Sequence, residues 1–272
     1  MEASKLLLDN IKSDYTLKKI FNSLEKKILY QIVKYNNKTK KRLDLTMNDY
    51  KEFLYKYSSI VIELTPSNNV KFSEIITVKD INYKKYFHIY FNDNKQEIKR
   101  NYYSKDDHVT KITIRIDHQV QSLEYLFINN FSFESIIFKK FSRKNITNMK
   151  MMFHGCKALK QLDISNCCTN DVTNMKGMFS KCSSLEEINI SKFNTSNVTD
   201  FGEMFSGCTS LKKIDLSHFN TDNVTNMKKM FYDCKSLQEI NVKNFNMNNV
   251  IDKTDMFYGC SDEIKKKILN IK

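Results

Sequence analysis

Glycine and proline are scarce, with five Gly and one Pro in 272 residues. That scarcity excludes Gly-rich phosphate loops, collagen-like segments and Pro-rich linkers. Long apolar runs are missing as well. No stretch approaches the roughly 18 apolar residues of a membrane-spanning helix. At the N-terminus only Leu6, Leu7 and Leu8 run together, flanked by Glu2 and Asp9, where a secretory leader needs roughly 7–15 apolar residues after a basic start. The expectation is an intracellular, cytoplasmic protein, with the nucleus as the alternative. Acidic charge is in deficit: 44 Lys and Arg stand against 31 Asp and Glu, a net +13. Such a balance suits nucleic acid, an anionic membrane or an acidic partner, and equally a Lys-rich composition with no such role. The apolar share of 41% and charged share of 28% are those of a globular chain.

What the chain does have is a repeat. Phe153, Phe179, Phe205, Phe231 and Phe257 are spaced by 26 residues; so are Cys156, Cys182, Cys208, Cys234 and Cys260, and so are Leu159, Leu185, Leu211 and Leu237. A weaker copy lies one period upstream, where Val120, Leu123, Leu126, Phe127, Ile136, Phe138 and Phe141 take the apolar positions. About six repeats therefore run over residues 118–260. Within one unit, Leu211-x-x-Ile214-x-Leu216 alternates with Lys213, Asp215 and Ser217, which predicts a short strand with one buried face. The stretch 174–182 predicts a short helical turn: Met175, Met178 and Phe179 at i, i+3, i+4 face inward. Asn174, Asp200, Asn226 and Asp252 stand at the N-cap, and Asp200 with Glu203 matches a capping box.

The motif Asn-Val-Thr-Asn-Met-x-x-Met-Phe-x-x-Cys-x-Ser-Leu-x-x-Ile resembles the BspA-type leucine-rich repeat over about 140 residues. The resemblance implies an α/β solenoid, a leucine-rich repeat with a parallel sheet on one face and short helical turns on the other. It implies a surface for protein–protein contact and no family catalytic residues.

Flanking segments complete the expected organisation. Residues 1–58 read as a helical head, from the stripe Leu17, Ile20, Phe21, Leu24, Ile28 and Ile32. Residues 59–117 read as a β-rich cap with strands near 60–64, 72–78, 86–91 and 109–116. Residues 261–272, with Ile264, Ile268 and Ile271, read as a C-terminal capping helix whose N-cap is Ser261 or Asp262. The N-terminal pattern, continued by Leu29 and Val33, is also similar to an F-box, which implies a ubiquitin-ligase substrate adaptor. Residues 34–42 form the densest basic stretch, and residues 1–144 carry net +10 against +3 for the remainder.

For chemistry, the sequence is sparse. C-x₂-C zinc spacings are absent, so the regularly stacked cysteines read as small buried thiols in a reducing compartment. Cys167 and Cys168 are adjacent and cannot both point inward in a regular strand. Three columns line the predicted wet face: Gln161, Glu187, Lys213, Glu239; then Asp163, Asn189, Asp215, Asn241; then Ser165, Ser191, Ser217, Lys243. Each acid alternates with an amide or a Lys, which suits recognition better than paired acid–base chemistry. The expected function is therefore a non-enzymatic, monomeric module that binds a protein through these twelve residues, without metal or cofactor. The alternatives are the F-box-like adaptor and a basic nucleic-acid-associated protein using its N-terminal half.

Overall fold

A computed structural model describes residues 13, 41–43, 59–68, 70–78, 81–117, 120–141 and 143–268. The chain divides into two compact units, Met1–Ser59 and Ile60–Lys272. Nearly all of the first unit lies outside the described residues, and with it the helical stripe, the F-box-like pattern and most of the basic stretch 34–42. No helical head is found among the described residues.

The second unit begins with strands whose alternation is visible in the residues themselves. In β1 (Ile60–Pro66), Ile60, Ile62 and Leu64 are fully buried while the residues between them are partly wet. β2 (Phe72–Glu74) and β4 (Tyr102–Ser104) form a two-stranded antiparallel ribbon. β3 (Phe87–Phe91) follows a 3₁₀ turn, Ile81–Tyr86. β5 (Ile112–Ile116) buries Ile112, Ile114 and Ile116. β6 (Phe133–Phe141) and the short β7 (Gln161–Asp163) complete a five-stranded sheet in the order β3-β5-β1-β6-β7. The register Ile60↔Ile116, Ile62↔Ile114, Leu64↔Ile112 sets the apolar residues of β1 and β5 on one face, a match that a one-residue slip would destroy. The chain's single proline, Pro66, ends β1, where a missing N–H costs least. β6 and β7 pair in parallel, so this mixed sheet leads directly into the repeats.

The expected α/β solenoid is not what the chain forms. The described residues hold small strands in mixed sheets and almost no helix. β8 (Lys213–Asp215) and β9 (Glu239–Asn241) make a separate two-stranded sheet, and residues 187–189 between β7 and β8 join neither. No single parallel sheet runs through the repeats.

The expected helical turns fail for a specific reason. Positive φ recurs at Met151, Gly177, Glu203, Lys229 and Asp255, and again four residues later at Gly155, Lys181, Gly207, Asp233 and Gly259. A left-handed residue every fourth position breaks an α-helix into successive tight turns. Within each turn, alternate amides bond locally, as Met178 N–H to Met175 C=O (3.1 Å). The others reach the next repeat, as Phe179 N–H to Met204 C=O (2.9 Å). The supposed N-caps are turn-formers instead. Asn174 Oδ1 accepts from Lys176 N–H at 2.9 Å, and Asp200, Asn226 and Asp252 accept in the same way two residues on. Glu203, the expected capping-box partner, has φ 58° and sends its N–H to Lys228 C=O (2.7 Å).

The 26-residue period is expressed as columns of like residues. Phe127, Phe153, Phe179, Phe205, Phe231 and Phe257 stack with centroids 5.2–5.7 Å apart. Beside them Cys156, Cys182, Cys208, Cys234 and Cys260 each donate Sγ–H to the carbonyl of the Phe one repeat back, all at 3.1 Å. Buried Thr169, Thr195 and Thr221 each exchange two hydrogen bonds with the backbone of the next repeat's Asn194, Asn220 and Asn246. At the C-terminal end, α1 (Asp262–Ile268) buries Ile264, whose N–H reaches Ser261 Oγ at 3.4 Å.

Candidate functional site

The strand halves of the repeats position the candidate residues. Alternation sends Leu162, Ile188, Ile214 and Ile240 inward and their neighbours outward. Where residues 187–189 fail to pair with β7, the surface opens into a groove of about 810 Å³ that crosses four successive repeats. Its floor is apolar, with Leu162, Ile188, Ile190, Ile214 and Ile240, and its rim is polar.

Eight of the twelve sequence-predicted residues line this groove: Gln161, Glu187, Asn189, Ser191, Lys213, Asp215, Glu239 and Asn241. Asp163, Ser165, Ser217 and Lys243 do not. The first column is exposed. Within it Lys213 Nζ lies 3.4 Å from Glu187 Oε2, and Gln161 Oε1 accepts from Ser135 Oγ at 3.2 Å. A neighbouring row carries the same alternation of sign: Lys160 meets Glu134 at 3.2 Å and Lys212 meets Glu186 at 2.6 Å. Sequence reasoning passed over this row, although the 26-residue spacing of Glu134, Lys160, Glu186 and Lys212 marks it.

The second and third columns hold each other. Asp163 Oδ1 accepts Ser165 N–H (3.0 Å) and Oγ–H (2.7 Å); Asn189 Oδ1 accepts the same pair from Ser191. Asp215 Oδ1 accepts Ser217 N–H at 2.8 Å and Asn241 Oδ1 accepts Lys243 N–H at 3.3 Å. The Ser165 and Ser217 hydroxyls, then the backbone amides, hold the Asp163 and Asp215 carboxyls below the usual range. Asp or Asn recurs in the second column because each closes a turn, so its identity is fixed by local structure. The first column carries no such constraint.

The cysteines form a different kind of column. Burial pushes the Cys156 and Cys208 thiols up to about 12, and drives Cys182, Cys234 and Cys167 upward as well. All seven are free thiols. Cys167 is buried and Cys168 only half-buried, as adjacency requires. Among the described residues no group of three or more His, Cys, Asp and Glu is placed to hold a metal ion. None of their helices is long and apolar enough to cross a membrane.

Two overlapping stretches, residues 97–189 and 161–270, match a family described as Mycoplasma protein of unknown function, DUF285. Together they extend from the β-rich segment through the last repeat. No curated protein and no solved structure matches the chain.

Proposed function

The chain belongs to the DUF285 family, and from that premise we propose that it is a non-enzymatic interaction module that takes an extended segment of a protein partner along the groove. The observation that carries this reading is the groove itself. Four repeats contribute to one continuous apolar floor, edged by side chains of alternating charge. An extended segment seated there would bury alternate side chains on the floor and meet the rim with the others. The likeness of the motif to BspA-type leucine-rich repeats supports the same role. The first column is the selective part, because nothing in the turns or the core dictates Gln161, Glu187, Lys213 or Glu239.

Charge reversal separates recognition from solubility. The triple variant Glu187→Lys, Lys213→Glu, Glu239→Lys keeps the alternation of sign, and exposed pairs contribute only about 0–1 kcal/mol each. Its melting temperature is expected to stay near wild type while capture of the partner, identified by mass spectrometry after affinity purification from host lysate, is lost. Capture that survives reversal in a folded protein removes the groove from the function.

A further inference from the structure

A second surface, remote from the groove in sequence, carries a different chemistry. A pocket of about 330 Å³ opens between the 3₁₀ turn Ile81–Tyr86, β3 and residues 97–101. Its cationic lining is Lys84, Lys85, Lys99 and Arg100, with His88 beside them. Glu97 is the one carboxylate on the wall and is already engaged, by His88 Nδ1 at 3.1 Å and by Lys99 Nζ at 2.8 Å. Among the described residues no carboxylate lies within ion-pair distance of Lys84 or Lys85. Glu97 thus holds His88 and Lys99, and Asp107 holds Arg100, which leaves Lys84 and Lys85 as the cations of the lining with a charge to offer an entering anion.

The pocket also has an aromatic neighbour. Arg100, fixed by an ion pair with Asp107, lies over the Tyr102 ring at 4.9 Å. Tyr102 in turn packs against Phe72 with centroids 5.2 Å apart. These two steps place the Phe72 ring within about 10 Å of the guanidinium that lines the pocket. Phe72 is 62% exposed and Tyr102 42%, an apolar pair left in water on the β2–β4 ribbon. A ligand that joins a flat π-system to a phosphate would use both surfaces, the phosphate at Lys84 and Lys85 and the ring against Phe72. The volume is at the lower end of small-molecule sites, roughly 300–1,000 Å³.

We propose that this pocket and the Phe72–Tyr102 pair together bind a nucleotide unit, phosphate in the pocket and base on Phe72. A free mononucleotide and one unit of a single strand share that chemistry. The test titrates the full chain at low salt with adenosine monophosphate, a fluorescent eight-residue oligothymidylate and inorganic phosphate. Lys84→Ala/Lys85→Ala is expected to weaken nucleotide or oligonucleotide binding at least tenfold, with an unchanged melting temperature because both side chains are exposed. Phe72→Ala is expected to weaken it about five- to hundredfold while leaving phosphate binding untouched. Tighter oligonucleotide than mononucleotide binding with a steep salt dependence assigns the site to a strand, and the reverse order to a free nucleotide. Inorganic phosphate bound as tightly as either, or binding indifferent to Phe72→Ala or to the lysine pair, overturns the proposal.

Discussion

Removing one ring from the phenylalanine column tests whether the repeats are held by contact between equivalent residues. Phe179 is fully buried and stacks on Phe153 at 5.7 Å and on Phe205 at 5.4 Å. Phe257, at the end of the column, is partly buried and has one such neighbour, Phe231 at 5.2 Å. Leucine keeps most of the apolar burial and removes the ring. Each lost aromatic pair is worth about 0.5–1.5 kcal/mol beyond its area. Phe179→Leu should therefore cost about 1–3 kcal/mol and Phe257→Leu about half as much. Urea unfolding followed by far-UV circular dichroism measures both, provided the slope with denaturant is unchanged. A double-mutant cycle sharpens the test. Phe179→Leu with Phe205→Leu removes one shared pair, so the two costs should fall short of additivity by about 0.5–1.5 kcal/mol. Phe153→Leu with Phe231→Leu, three repeats apart, should add within about 0.3–0.5 kcal/mol. Equal costs at positions 179 and 257, or no coupling between 179 and 205, would refute the idea that ring-on-ring contact holds the repeats together.

Two further predictions concern titration and thiol access. His88 is held between Glu97 Oε1 (3.1 Å) and Asp117 Oδ2 (3.4 Å), and the Asp117 hydrogen bond raises its pKa above 6.5. A raised folded-state value means the stabilisation is full below pH 6.5 and is lost as pH rises through the folded pKa. Melting temperatures of wild type and His88→Gln should therefore converge as pH climbs above 6.5; parallel curves would refute the assignment. In native protein, a thiol reagent should modify half-buried Cys168 first and Cys156, Cys182 and Cys208 only at the rate of unfolding. Cys208 reacting as fast as Cys168 would show that the column is open to solvent.

The period of 26 made the Phe and Cys columns legible, because identical residues at identical spacing must stack if the repeats do. The backbone between them was not legible. Met175, Met178 and Phe179 have the spacing of a helix face, yet the same side chains turn inward from a series of tight turns. What decides between the two is the bonding of amides 26 residues apart, which no local window contains. Glu203 illustrates the cost of reading locally: a capping-box glutamate by sequence, it is a left-handed turn residue by structure. The interruption of pairing at 187–189 also has no local signal, since Leu185-x-x-Ile188-x-Ile190 has the same pattern as Leu211-x-x-Ile214-x-Leu216. Eight of the twelve members of the outward columns meet in one groove. The Asp–x–Ser and Asn–x–Ser spacings were visible too, but they specify turns.

Every second amide of the turn segments points the same way along the stack. At each of five junctions four N–H groups of the turn segment donate toward the following repeat, while the N–H groups of Thr147, Thr173, Thr199, Thr225 and Ile251 donate in the opposite sense. Peptide dipoles aligned in this manner add, as they do in a helix, and give the stack a positive and a negative end. At the negative end, Leu126 C=O takes the Thr77 N–H at 2.8 Å, so the β-rich segment covers part of the carbonyl edge. At the positive end, the N–H groups of Lys253, Asp255, Phe257 and Gly259 meet no carbonyl among the described residues, and Asp252 and Asp255 bring negative charge close to them. Whole 26-residue units can thus be added to the array in one orientation only, because a reversed unit would set donor against donor.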